Sequence, residues 1–431
     1  MNHGKTFYIF CMYCAVCAVI SCTLTGCKYM SIPVTDDIQA GLHQKGSCPD
    51  MPVYNSAVIK GKFIGMAEKR AATLIAAYRS TGNGDAEYTG YATLTPSGSF
   101  MLYLPEGRYL LYSLTDYNDD GILQNNEISG IFGSVVAPRE IALAEGALVT
   151  NIDIHASGAG RHILRLPGPF PLREYLKIPR KVTYNGQILK IYSEYFSVEN
   201  AQTGYWHPTS FMQTFGAHIY LTEKYDQKKI PVLFVHGTKG SPHNWIYLCM
   251  RLDRTRYQPL FYYYPSGIRL SLSAAILNEE LRELRQQYGF QKMVVVAHSV
   301  GGLVSRAFIS RYVSDGHNDF INLFATFATP WSGFEMADAS QQRPHKSIPA
   351  WADLGPQSSF IQTTMNAKLP AHLRHYIFYG TNDVLSADKA TDERAVSCAV
   401  KSLGFDCTHD TILIKRSVFE KFNAILEKEF R

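Results

Sequence analysis

The sequence predicts an α/β domain, a mostly parallel sheet covered by helices, preceded by a small all-β sandwich. Three observations carry this. From residue 229 onward, short continuous apolar runs alternate with helical stretches, and strands without polar alternation are buried on both faces. Between Val53 and Ile154 the runs are short, β-branched and aromatic, with turn residues between them and no helical period. The chain has 431 residues with 46% hydrophobic and 18% charged residues, which supplies more than one core and excludes a disordered or fibrous chain.

Lys+Arg 42 against Asp+Glu 37 gives a formal charge of +5, too mild and too dispersed for a nucleic-acid partner. At the amino end, Lys5 precedes an uncharged apolar run from Phe7 to Thr25. A secretory signal and a retained anchor helix both fit that pattern. Leu24-Thr25-Gly26-Cys27 resembles the bacterial lipobox, which implies a signal peptide over 1–26 and acylation of Cys27 by palmitate-type chains. Cys22 ends a weaker second match. Lys28, where inner-membrane retention favours Asp, points to the outer membrane of a bacterial envelope. Residues 27–50 then read as a tether, and the membrane as a partner through the lipid. The oligomeric state is left open.

Over 51–157, Ala72 to Tyr78, Ser99 to Leu104 and Arg108 to Leu114 read as strands separated by Thr95-Pro96-Ser97-Gly98 and Pro105-Glu106-Gly107. The segment Gly98 to Tyr109 resembles the core hairpin of carboxypeptidase-regulatory-like, transthyretin-like domains, which implies an accessory role. Asp116-x-Asn118-x-Asp120-Gly121 with Glu127 has the oxygen spacing of a calcium loop, and a plain Asp/Asn/Gly turn is the alternative. A structural Ca²⁺ there would be the one cofactor, since the chemistry below requires none. Residues 158–228, rich in Pro, Tyr and polar groups, read as a linker and lead-in.

In 229–431 the strands are Pro231 to Val235, Leu260 to Tyr264, Met293 to Val296, Leu323 to Phe327 and Tyr376 to Tyr379. Leu277, Leu281 and Leu284 mark a helix between the second and third. Active sites of such sheets lie beyond the strand carboxyl ends. There Ala297-His298-Ser299-Val300-Gly301 has small residues on either side of a serine, the pattern of a sharp strand-to-helix turn, with a helix over Leu303 to Tyr312. Ser299 is the candidate nucleophile, and the Val300 N–H a candidate oxyanion donor. The second donor is expected from His236-Gly237-Thr238-Lys239-Gly240, with Thr238 N–H preferred; His236 as a base or metal ligand is the alternative.

A hydroxyl needs a base, and the base an orienting carboxylate. Asp383 stands just past a strand end, and His409 in a loop before the last helix, Ser417 to Lys428, so nucleophile, acid and base follow in chain order. Asp353 and Asp392 are alternative acids. Cys398 and Cys407 are expected to form a disulfide that stiffens the loop carrying His409, two buried thiols being the alternative.

Pro231–Gly240, Val294–Leu303, Thr329–Gly333 and His409–Leu413 resemble the α/β-hydrolase superfamily, in its lipase-like and GPI-inositol-deacylase-like branch. Ala297 replaces the first glycine of the family's elbow, and no glycine follows Asp383. The resemblance implies hydrolysis of carboxylic esters, with an apolar or lipid ester as substrate. A non-catalytic binding lipoprotein and an amide or thioester hydrolase are the rivals. Trp245, Phe261, Tyr262, Trp331, Phe334 and Trp351 are candidates for an apolar acyl pocket or for core, and Gly333 to Phe360 for a lid or a passive loop.

Overall fold

The computed structural model describes residues 56–65, 73–81, 86–117, 123, 127–134, 136–156, 183–314, 320–335, 337, 348–385 and 392–431. Cys27 and the signal and tether segments lie outside these residues. Among the described residues, no helix is long and apolar enough to cross a membrane.

Eight strands build the amino-terminal layers: β1 (Ser56–Ile64), β2 (Thr73–Ser80), β3 (Ala86–Thr93), β4 (Ser99–Pro105), β5 (Gly107–Thr115), β6 (Ile128–Ile131), β7 (Ile141–Leu143) and β8 (Leu148–His155). They form a three-stranded sheet, β4-β1-β8, and a five-stranded sheet, β3-β2-β5-β6 with β7 on β5. All pairs are antiparallel except β1 with β8. Ala57, Ile59, Phe100 and Leu102 from one sheet meet Ile75, Ala77, Tyr109 and Leu111 from the other. β2 is buried on both faces, because Leu74, Ala76 and Tyr78 pack into a further cluster with Tyr112 and Leu114. That explains its lack of polar alternation.

The second layer is a seven-stranded sheet. Its strands are β9 (His218–Leu221), β10 (Ile230–Val235), β11 (Tyr257–Tyr263), β12 (Met293–His298), β13 (Ile321–Phe327), β14 (Arg374–Gly380) and β15 (Lys401–Phe405), in the order β15-β14-β13-β12-β10-β11-β9. Every pair is parallel except β9 with β11. Along each central strand, residues alternate between two apolar cores: Leu233, Val235, Val295 and Ala297 face one, and Val232, Phe234, Val294 and Val296 the other.

Two departures from the sequence reading stand out. Residues 183–228, read as a linker and lead-in, supply part of the α/β layer itself: β9 completes the sheet, and the helices Val198–Trp206 and Pro208–Phe215 pack against it. An aromatic cluster of Phe196, Phe211, Phe215, Tyr220 and Tyr263 organises this segment. Nor is the sandwich a separate bead. The described residues belong to one compact unit, and Val58, Met101, Tyr103 and Leu148 pack against the α/β core beside the helix Leu270–Tyr288. In that seam Lys60 lies 2.6 Å from Glu280 and 3.0 Å from Glu283, and His218 lies 2.9 Å from Glu280. Arg269 bridges Glu145 at 2.5 Å.

Candidate active site

β12 runs without a break into the helix Val300–Ser314, and the junction falls on Ser299. Its φ is +53°, a left-handed conformation that a non-glycine residue rarely takes. The turn is held by Ser299 N–H donating to the Phe327 carbonyl at 2.8 Å and by Gly302 N–H donating to the Ser299 carbonyl at 2.9 Å. Space around it is exhausted. A Cβ on Gly301 would lie 2.4 Å from the His236 carbonyl oxygen, and one on Gly237 would lie 2.7 Å from Ser299 Cβ. Ala297, by contrast, is an ordinary strand residue paired with Val235 and Thr326, so a methyl fits where the resemblance led us to expect glycine. Strain of this kind recurs along the same edge: Lys239 and Ala328, past β10 and β13, also have positive φ.

The parallel pairing of β14 with β15 brings the next two residues beside Ser299. The turn after β14 and the loop after β15 are laced together. Thr381 N–H donates to the Phe405 carbonyl at 2.8 Å, and Asn382 Nδ2 donates to Asp406 Oδ1 at 2.6 Å. A Cβ on Gly380 would lie 2.4 Å from the Cys407 carbonyl oxygen, so the two segments touch through backbone. From this platform His409 reaches both ways. Its Nδ1 is 2.9 Å from Asp383 Oδ2 and its Nε2 is 2.9 Å from Ser299 Oγ. Asp383 is buried, and its other oxygen accepts the Leu385 N–H at 2.9 Å.

The alternative acids are engaged elsewhere. Asp353 pairs with Arg269 at 2.6 Å and accepts from Ser271 N–H at the start of the helix Leu270–Tyr288. Asp392 binds Ser332 and Arg394.

The loop after β10 forms a tight turn closed by Gly240 N–H on the Gly237 carbonyl at 3.1 Å, with Thr238 and Lys239 at its corner. His236 is tied into this turn through its ring and its carbonyl. The ring is buried, which pushes its pKa down to about 4; Nδ1 donates to the Gly237 carbonyl, and Nε2 accepts from Tyr264 N–H. Tyr264 stacks on that ring at 4.4 Å, and its hydroxyl donates to the His236 carbonyl at 2.9 Å. Lys239 N–H donates to Ser266 Oγ, and its ammonium lies 4.8 Å from the rings of both Tyr205 and Trp206. Partial burial lowers the Lys239 pKa.

This is the α/β-hydrolase fold. Residues 269–410, about a third of the chain, match the model of a family described as "Alpha/beta hydrolase of unknown function (DUF915)". No curated protein matches. Among solved structures, a gene product from Listeria innocua is 16% identical, with 46% of this chain and 94% of that one covered at a TM-score of 0.38. The mature form of Bacillus licheniformis lipase BlEst2 is 20% identical, with 47% and 94% covered and a TM-score of 0.36. A putative esterase from Staphylococcus aureus is 16% identical, with 47% and 76% covered and a TM-score of 0.37.

Other expectations fare differently. Cys398 and Cys407 are free thiols, one exposed and one buried. The five residues of β15 run extended between them. Trp245, Phe261, Tyr262 and Trp331 are fully packed core, not pocket. In the lid candidate, Phe334 N–H donates to the Leu354 carbonyl at 2.7 Å, which ties one described end to the other. Of the calcium-type loop, Asn118 and Asp120 lie outside the described residues. Asp116 and Glu127 are buried, and one Glu127 oxygen accepts Tyr117 N–H at 3.0 Å. Among the described residues, no group of three His, Cys, Asp or Glu could hold a metal ion.

Proposed function

We propose that this hydrolase cleaves carboxylic esters with an apolar, lipid-like acyl group, using Ser299 as nucleophile, His409 as base and Asp383 as its orienting acid. The observation that carries the proposal is the unbroken chain from Ser299 Oγ through both His409 nitrogens to Asp383, two contacts of 2.9 Å, on a serine held at positive φ. His409 Nε2 takes the Ser299 proton as Oγ attacks the ester carbonyl, and the C–O bond to the alcohol breaks as His409 returns that proton to the leaving oxygen. Water, deprotonated by the same nitrogen, then attacks the acyl carbonyl; the bond to Ser299 Oγ breaks as His409 returns the proton to Oγ, releasing the acid. Asp383 keeps the proton on Nδ1, so that Nε2 is the free base. The N–H groups of Val300 and Thr238 receive the oxyanion, the first at the helix start where the backbone dipole is favourable.

The lipobox at Cys27 supports an envelope protein anchored at the outer membrane, and a membrane setting favours lipid esters. The test is release of p-nitrophenol from short- and long-chain esters by the full chain in mild detergent, beside Ser299→Ala. Turnover by the wild type that vanishes in the variant supports a serine esterase. Background rates from both would favour a binding scaffold.

A further inference from the structure

We propose that His298, the residue before the nucleophile, is a positioning residue whose ring N–H holds the backbone of His409 at a fixed distance from Ser299. The inference rests on the Ser299–His409–Asp383 reading above.

His298 Nε2 lies 3.0 Å from the His409 carbonyl oxygen. A carbonyl only accepts, so Nε2 carries the hydrogen. The ring is buried, with its centroid 4.9 Å from that of His409 and its edge against the buried Trp245 at 6.4 Å and 89°. Two consecutive residues therefore grip His409 at two points: Ser299 at the ring and His298 at the main chain. One peptide unit separates the two grips, so the reach from the His409 backbone to the Ser299 oxygen is set by the elbow itself. The rest of that loop is tied to the acid side, through Asn382 N–H on the Cys407 carbonyl at 3.2 Å, and to itself, through Thr408 and Thr411. The His298 contact supplies its tie to the serine side.

The ring must also stay neutral. Burial is the main cause that pushes its pKa down to about 3; His409 and His236 press the same way, while Asp383 and the His409 carbonyl oppose. When His409 becomes an imidazolium during the reaction, a neutral His298 adds no second positive charge beside it.

The test compares His298→Gln, which keeps an amide N–H near the Nε2 position, with His298→Phe, which keeps the ring shape and loses the donor, and His298→Asn, whose amide is too short to reach. In the full chain, Phe and Asn should each lower kcat about 10- to 100-fold at nearly constant KM, since small misplacements of a base have effects of that order. Gln should stay within a few-fold of wild type. Backbone deuterium uptake over 406–413 should rise in Phe and Asn and not in Gln, a readout that needs no turnover. Equal impairment of Gln and Phe, or wild-type kcat and uptake in Phe, overturns the proposal; if Phe does not fold, equal behaviour of Gln and Asn does so. An inactive wild type whose uptake still follows the donor would overturn the esterase reading and leave the His298 contact standing.

Discussion

The carboxyl edge of the seven-stranded sheet and the seam between the sandwich and the helix Leu270–Tyr288 both bury histidine beside carboxylate, and they are built in opposite ways. In the seam, Lys60, His218 and Glu280 project from two strands and a helix. Burial alone would raise the Glu280 carboxyl, but Lys60 and His218 hold it below its usual range, and Glu280 and Glu283 hold Lys60 above its own against burial. The charges are compensated, and none of the three residues has a positive φ. At the edge, three of the four non-glycine residues with positive φ among the described residues, Lys239, Ser299 and Ala328, follow neighbouring strands. Its supporting histidines, His236 and His298, are kept neutral by burial. Compensated charge joins two layers; neutral donors on strained backbone present Ser299, the proposed nucleophile. The same residue types serve docking in one place and the proposed chemistry in the other.

Four measurements break or sharpen that contrast. The largest effect is expected from Asp383→Asn, which should lower kcat by about 10⁴ by allowing the wrong His409 tautomer, as the same change does in other serine triads. The comparable change Asp353→Asn should act on thermal stability, since Asp353 holds Arg269 and a helix start. Next, Lys60→Met leaves Glu280 buried with His218 alone, and should destabilise the fold by about 3 kcal/mol in denaturant titration. The kcat of the folded fraction should not change. If kcat fell with stability, the seam would be part of the site.

Gly237→Ala is expected to lower kcat about 100-fold, because the added methyl meets Ser299 Cβ at 2.7 Å and must displace either the nucleophile or the loop after β10. The last effect is on acid stability. His236, His298 and His375 have folded pKa values of about 4, 3 and 3, below the ordinary 6.5. The unfolded chain therefore binds more protons, so their contribution is complete above pH 6.5 and declines as pH falls toward the folded values, by about 1.4 kcal/mol per pH unit for each. Glu280, whose ordinary value is 4.5, begins to contribute a loss only below that pH. Between pH 6.5 and 4.5 the loss should thus come from the histidines, and His298→Gln should make the slope shallower by one histidine's share.

The elbow was legible in the sequence because strand, small residues and helix are contiguous there, and the meeting of Asp383 and His409 with Ser299 because each follows a strand end in chain order. What was not legible depends on distant packing. β9 is only four residues opening on His218, and β15 is Lys-Ser-Leu-Gly-Phe at an exposed sheet edge, so neither makes a long apolar run. The segment 183–228 reads as a linker because its aromatic cluster needs Tyr263 from β11 to close. The disulfide expectation failed because nearness in sequence is not nearness in space when the intervening residues are extended. The seam charges gave no signal, since Lys60 and Glu280 are 220 positions apart. The His298 contact likewise appears only when the loop after β15 folds against the elbow.

The central claim, that Ser299 is activated by His409, is tested most directly by treating the full chain with a fluorophosphonate and locating the adduct by peptide mass spectrometry. The account predicts one adduct per molecule, on the peptide containing Ser299, with labelling lost in Ser299→Ala and strongly slowed in His409→Ala. An adduct on another residue, or no labelling of the folded wild type, would contradict it.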